Sequence, residues 1–458
     1  MSLLLVSMDA SAVNVALPAL GREFQTSIAD LQWTIDAYTL VLSSLLVLSG
    51  STADRLGRRR TFQIGVSVFT LGSLLCSIAP SVGWLIAFRM LQAVGGSMMN
   101  PVAMSIITAT FPGRAERARA VGVWSAVVGI SLGIGPVVGG LLTDTVGWRG
   151  IFWINIPIGI AAIVLTAFFV PESKSGTRRR FDPVGQVLMI VFLTTLVASL
   201  IEGPRLGWGS PFTIALLVVA VCSLAAFITY ERRRREPLID IRFFRSLPFS
   251  SSVVTAIAGF AANGAFLFLI ALYLQEVRGF SPFEAGLCTL PTAVAQLVFA
   301  PLSGRLVARR GTRLPLVLSS AALALSSGAL AFLAPDTPMP FLLVVFFVYG
   351  VALGLINAPI TTTAVSGMPI SQAGAAAAVA STSRQVGTSL GVALAGSLTG
   401  LGASTTVTPA FAGATHALWW TIVGGAALIL VLALVSTSRA GYRSTERIAY
   451  LLADEGEG

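Results

Sequence analysis

The sequence predicts an all-α polytopic membrane protein of fourteen transmembrane helices, arranged as two six-helix bundles with two inserted helices between them. Three observations predict it. The chain of 458 residues is 55% hydrophobic and only 11% charged, less than half of the roughly 25% charge of a soluble domain. Apolar stretches of about 20 residues, each able to cross a hydrocarbon core about 30 Å thick as a helix, recur along its length. Arginine concentrates in alternate gaps between those stretches.

Taken in order, each expected span is an apolar run bounded by the charge that ends it. Spans near 3–20 and 33–52 are separated by Arg22 and followed by Arg55 and Arg58–Arg60. Spans 61–80 and 84–111 lead to Arg114, Arg117 and Arg119. Spans 120–142 and 150–170 are separated by Arg149 and followed by Lys174 and Arg178–Arg180. Spans 184–202 and 212–230 are separated by Arg205 and followed by Arg232–Arg235, Arg242 and Arg245. Spans 250–274 and 284–303 are separated by Arg278 and followed by Arg305, Arg309, Arg310 and Arg313. Spans 315–334, 340–366, 374–400 and 417–438 complete the set, before Arg439, Arg443 and Arg447. Each must be helical, because lipid offers no partner to an open backbone amide. Of the 30 basic residues, 24 fall on one side and four on the other; Arg89 and Arg384 lie inside spans. The positive-inside rule then places both termini in the cytoplasm. The net charge of +10 is a topology signal and gives no reason to expect nucleic-acid binding.

The stretch "GSTADRLGRRR" from Gly50 has a counterpart, "GRLVARRGTRL", from Gly304. Both place glycine seven residues later (Gly57, Gly311) and arginine at the sixth position (Arg55, Arg309). Each follows the second span of a six-span block. The expected organisation is an N-terminal bundle over 1–170, an inserted helix pair with linkers over 171–249, a C-terminal bundle over 250–438 and a cytoplasmic tail over 439–458. Parallel repeats of this kind are a transporter architecture, with the substrate near the midplane between halves.

Several chemistries have no candidate residues. The one lysine, Lys174, is not preceded by glycine, so there is no phosphate-binding Walker loop. The one histidine, His416, falls in an expected loop, and no metal or hydrolase constellation can be built around it. Cys76, Cys222 and Cys288 lie in or beside apolar runs and read as small buried hydrophobes. The chain is expected to be no enzyme and to need no metal or cofactor.

Charge inside a span is costly, about 2.5–3.5 kcal/mol at a helix centre, and usually marks a pathway. Asp9 in the first span is the foremost candidate. Asp36 in the second lies near its outer end, where a solvated mouth residue is the plain alternative. Arg89, Gln92 and Gly96 share one helical face, and Arg384, Gly387 and Gly391 repeat the spacing. A guanidinium does not lose its proton, so Arg89 would tune a carboxylate rather than carry the proton. Asp54 is unexplained by topology, since acids contribute little to it. Gly50 and Gly57 suit tight turns and close approach. With Arg55 they form a candidate gating loop around Asp54. Asn14, Gln92 and Arg384 are candidates for a central cavity. Gly133, Gly135, Pro136, Gly139 and Gly140 would give the fifth span a smooth, kinked face on which two bundles seal.

Together these stretches resemble the major facilitator superfamily. "GSTADRLGRRR" is similar to its loop signature between spans 2 and 3, and "RMLQAVGG" (Arg89–Gly96) to its fourth-helix motif. "SLGIGPVVGG" (Ser131–Gly140) is similar to its antiporter motif, with Ser131 where glycine is usual. "MDASAVNVALP" (Met8–Pro18) and "STSRQVGTSLGVAL" (Ser381–Leu394) resemble its fourteen-span drug–proton antiporter branch. In the second repeat Ala308 stands where the loop acid would be. The resemblance implies a proton-coupled antiporter of the inner (cytoplasmic) membrane. It would export lipophilic or cationic compounds by alternating access, acting as a monomer on small molecules and protons. It also implies a proton-coupling role for Asp9, Asp36 and Arg89 and a leak-preventing seal at Gly133–Gly140. A dedicated exporter of an endogenous lipid, siderophore or metabolite, and a non-transporting membrane receptor, are the alternatives.

Overall fold

Apolar runs that must satisfy their own backbone groups become helices, and no strand occurs among the described residues. The computed structural model describes residues 2–111, 113–173, 182–234, 237–368, 370–399, 411–441 and 443–445. The first group of helices is α1 (Ser2–Phe24), α2 (Ile28–Leu56), α3 (Arg58–Ser77), α4 (Val82–Thr110), α5 (Arg114–Val146), α6 (Gly150–Trp153) and α7 (Asn155–Phe169). Next come α8 (Pro183–Leu206) and α9 (Pro211–Glu231), then a 3-10 turn, Ile241–Arg245. The second group is α10 (Leu247–Leu272), α11 (Pro282–Cys288), α12 (Leu290–Arg310), α13 (Arg313–Leu330), α14 (Met339–Val365), α15 (Ile370–Thr399), α16 (Phe411–Ala414) and α17 (His416–Ser436). A π-helical turn, Tyr273–Val277, extends α10.

Helix starts follow local chemistry. Ser27 and Asp30 form a reciprocal capping box on α2, and Ser281 and Glu284 do the same on α11. Asp182 and Ser210 cap α8 and α9, each followed by proline at the first helical position. Within the first group α1 packs on α5, α2 on α4, and α3 on α4 and α7. Within the second, α10 packs on α15, α12 on α14, and α13 on α14 and α17. The pair α8–α9 leans on both groups. Leu193, Val197 and Ile201 of α8 pack against Ala29 and Leu40 of α2 and Ala393 of α15.

Burial is inverted relative to a water-soluble fold. Phe168, Val221, Leu325 and Phe332 stand exposed, while Asp9, Asp36, Arg89 and Gln92 are buried. That distribution suits a hydrocarbon solvent, in which polar groups turn inward. Among the described residues ten helical segments are long and apolar enough to cross a membrane. Helices α2, α3, α5 and α15 are also long but carry more polar or small residues, and they fall outside that set.

Three local expectations change. The stretch from Gly50 is no extended loop: α2 runs on to Leu56, α3 starts at Arg58, and only Gly57 breaks the helix, at φ +106°. The helical run up to Gly57 is favoured because its backbone amides keep partners within α2, the Gly57 amide donating to the Ala53 carbonyl. His416 opens α17 rather than lying in a loop, and its Nε2 meets the Leu333 carbonyl at 2.9 Å. Cys222 is exposed, not buried, because α9 lies at the margin of the bundle and turns its apolar side outward.

Candidate functional site

The charged residues inside the first group converge on one buried network. Asp9 Oδ2 accepts from Arg89 Nη1 at 2.5 Å. Asp9 Oδ1 accepts from Gln92 Nε2 at 3.0 Å and from Asn155 Nδ2 at 2.9 Å. Gln92 also accepts from Arg89 at 2.7 Å and donates to Ser73 Oγ at 2.7 Å. Arg89 Nε donates to the Thr34 carbonyl at 3.3 Å, and the guanidinium lies 4.1 Å from the Tyr38 ring centroid. Five helices, α1 to α4 and α7, contribute. Asp9 and Arg89 are each 1% exposed, so the pair is wholly removed from solvent. A buried pair is tolerated only when its remaining lone pairs and protons are also satisfied, and Gln92, Asn155 and Thr34 do that. Asp9, Arg89 and Gln92 were legible in the sequence. Asn155, Ser73 and Tyr38 were not, since a lone polar residue in an apolar run has no pattern around it.

Asp36 is apart from this network. It is not a solvated mouth residue: it is fully buried where α2 meets α15, and neither carboxylate oxygen has a partner within hydrogen-bonding geometry among the described residues. The Ser389 hydroxyl of α15 lies beside it and is likewise unpartnered. The three cavity candidates also separate. Asn14 is buried and donates to Ala10 O of its own helix at 2.9 Å. Gln92 belongs to the Asp9 network. Arg384 alone is partly exposed.

The two groups of helices touch at the end carrying Arg22, Arg149 and Arg278. Arg22 pairs with Glu276 at 3.2 Å, and Gln275 donates to the Val15 carbonyl at 2.8 Å. The Phe283 amide donates to Asp144 Oδ2 at 2.9 Å, and Gln32 reaches the Val392 and Ala393 carbonyls. Gly133, Gly135, Pro136, Gly139 and Gly140 are all buried; Gly133, Pro136 and Gly140 face the second group in this seal, whereas Gly135 packs on Ser11 of α1. A Cβ on Gly133 would lie 2.7 Å from Ala293 Cβ, and one on Gly140 would overlap the Pro282 carbonyl. Gly139 faces α1 instead, where its Cβ would sit 2.7 Å from Ala12. A cavity of about 40 Å³ lies beside Ser11, Pro136, Asn263 and Gln296, far below the ~300 Å³ of a ligand site.

At the arginine-rich end, the segment after α7 caps α3. Glu172 accepts from the Arg59 and Arg60 amides at 3.1 and 3.3 Å, and the Arg58 amide donates to Ser173 O at 2.9 Å. An anion there offsets the helix dipole and occupies free amides. Gly57 makes room for it, since a Cβ would lie 2.5 Å from Glu172 Oε1. Arg55 is exposed. The backbone at Gly50 and Asp54 is helical, while the side-chain surroundings of both lie outside the described residues. Gly57→Ala should therefore lower thermal stability, with the left-handed backbone alone costing about 1–2 kcal/mol. Unfolding in detergent measures it, and an unchanged midpoint would show that the cap carries no weight.

Known proteins place this arrangement. Residues 1–392 match the protein-family model described as Major Facilitator Superfamily. The chain is 37% identical to the multidrug resistance protein Stp of Mycobacterium tuberculosis (strain CDC 1551 / Oshkosh) over 409 residues, 89% of this chain and 76% of that protein. It is 36% identical to the tetracenomycin C resistance and export protein of Streptomyces glaucescens, over 86% of this chain and 73% of that one. Among solved structures it resembles a bacterial homologue of the human lysosomal transporter Spinster, in an inward-facing and unoccupied conformation. The TM-score is 0.63 at 18% identity, covering 98% of this chain and 95% of the other.

Proposed function

The chain belongs to the major facilitator superfamily, and on that premise we propose that this multi-pass membrane transporter exports lipophilic compounds of several kinds in exchange for protons. The names of its relatives support export and resistance. The observation that carries proton exchange is the buried Asp9–Arg89 pair. Asp9 accepts hydrogen bonds from Arg89, Gln92 and Asn155. Taking up a proton would dissolve that grip and free the elements it ties together. A potential of 100 mV supplies about 2.3 kcal/mol per charge moved, so one or two protons drive substantial accumulation.

The conformation described is closed at the arginine-poor end. With the arginine-rich end in the cytoplasm, closure at the opposite end is what an inward-facing state would have. Asp54 and its loop would then engage the opposite half only after the cytoplasmic side closes. The reading includes fourteen crossings, bundles at 1–170 and 250–438, both termini in the cytoplasm, residence in the inner membrane and action as a monomer without cofactor. Reporter fusions after Gly176 and after Gly441 are expected to read cytoplasmic; a periplasmic signal at Gly441 would mean an odd number of crossings between them. The function itself is tested in proteoliposomes with an imposed pH gradient and a panel of cationic, neutral and anionic compounds. Uphill movement of several unrelated compounds supports it. Movement of one compound alone favours a dedicated exporter, and no substrate-induced proton flux favours a receptor.

A further inference from the structure

Asp36 and Arg384 lie inside spans, outside the Asp9–Arg89 network, and they differ in access. Asp36 is fully enclosed between α2 and α15. Arg384 of α15 is partly exposed. Its Nη2 donates to Thr361 Oγ1 of α14, its Nε has no partner among the described residues, and the Phe260 ring of α10 lies 6.0 Å away. Among the described residues no carboxylate lies within ion-pairing distance of it, although Arg89, the other arginine inside a span, is so matched. Membrane arginines otherwise pair or face a pathway.

The face of α14 that Arg384 approaches is open. Phe341, Val344 and Phe347 are exposed and mark the lipid side of that helix. At about 100° per residue, Asn357 falls on the opposite side, yet it too is exposed. Thr361 follows one turn later. Polar exposure on the side away from lipid marks the space between the halves, which the seal closes at its other end.

We infer that Arg384, with Thr361 and Asn357 beside it, is a docking site for the anionic group of a transported compound, a carboxylate or similar planar oxyanion on an apolar body. A guanidinium presents paired donors in a fork that fits such a group. The surroundings of the other acids disfavour cations in this state. Asp9 is spent on Arg89, Gln92 and Asn155, Asp36 is enclosed, and Glu202 at the end of α8 is engaged by Arg205 and Trp33, so none of these three is free to receive one. The inference rests on the exporter reading and reverses the charge expected of its cargo.

A matched set of probes tests it: pyrenebutyrate, pyrenebutanol and pyrenebutylamine share one apolar body and differ in charge. Binding to the full-length protein in nanodiscs is read as energy transfer from tryptophan to pyrene, against empty nanodiscs. Wild type should bind pyrenebutyrate about tenfold more tightly than pyrenebutanol, the effect of one charge-assisted contact, and pyrenebutylamine least. Arg384→Gln should remove that preference and leave pyrenebutanol affinity unchanged. Arg384→Lys should keep part of it, having the charge without the fork. Equal affinity for all three probes, no binding of any, or an unaltered preference in Arg384→Gln would overturn the site. The wild-type comparison stands even if a variant fails to fold. Export of pyrenebutanol under a pH gradient tests the exporter reading separately: its absence, with the binding preference intact, would sink that reading and leave the site.

Discussion

Asp9→Asn is expected to abolish uphill, pH-driven export and to destabilise the protein as well. From the residue types alone the substitution looks mild, since asparagine keeps the size. The geometry makes it severe. Asp9 Oδ2 faces Arg89 Nη1 at 2.5 Å, and an amide nitrogen placed there would oppose donor to donor. The guanidinium cannot neutralise itself, and removing one partner of a buried pair costs about 3–5 kcal/mol. Misfolding could then mimic a coupling defect. The double variant Asp9→Asn/Arg89→Gln separates the two, because it removes both charges. It should recover most of the lost thermal stability and still fail to move substrate against a gradient. Substrate exchange at equal concentrations, which needs no net proton movement, should persist. If the double variant exports uphill at the wild-type rate, the network is structural only and the proton site must be sought at Asp36.

Gly140→Val should give the second large effect, on the balance of states. Even a Cβ at Gly140 would overlap the Pro282 carbonyl across the seal, and backbone on both sides has little room to yield. The clash exists only while the arginine-poor end is closed, so the open state there is favoured by the whole of the strain. Overpacking costs about 1–3 kcal/mol, or roughly 5- to 150-fold in the ratio of states. Spin labels at Thr145 and Asp336, both exposed at that end, should report a longer distance in the variant in a cysteine-free background. Export should slow in proportion. An unchanged distance with lost transport would mean that the glycine serves helix packing inside one half, as Gly139 does against Ala12.

The alternating arginines and the apolar runs were enough to place nearly every helix, because lipid imposes its demand residue by residue. A segment either satisfies its own backbone and presents apolar side chains or it cannot reside there. Asp9, Arg89 and Arg384 stood out for the same reason: charge in hydrocarbon is conspicuous wherever it falls. Gly57 was also legible, and its positive φ has a counterpart at Gly311 of the second repeat. Glu172 was not, because an acid just beyond a helix end is unremarkable until the helix it caps is known.

What the sequence could not decide is who meets whom. Asp9 and Arg89 are 80 residues apart, and Asp9 and Asn155 are 146 apart; nothing local ties them. The same holds for Asp36, whose enclosure depends on α15, and for Arg384, whose lack of an acidic partner among the described residues is a fact about the helices around it. By itself the sequence determined which segments are helical and apolar and which polar residues a membrane makes costly. Only the tertiary structure decided which of those costs are cancelled by a partner and which are left without one among the described residues, because pairing energy falls off within a few ångströms and that proximity is set by helix packing across the whole chain.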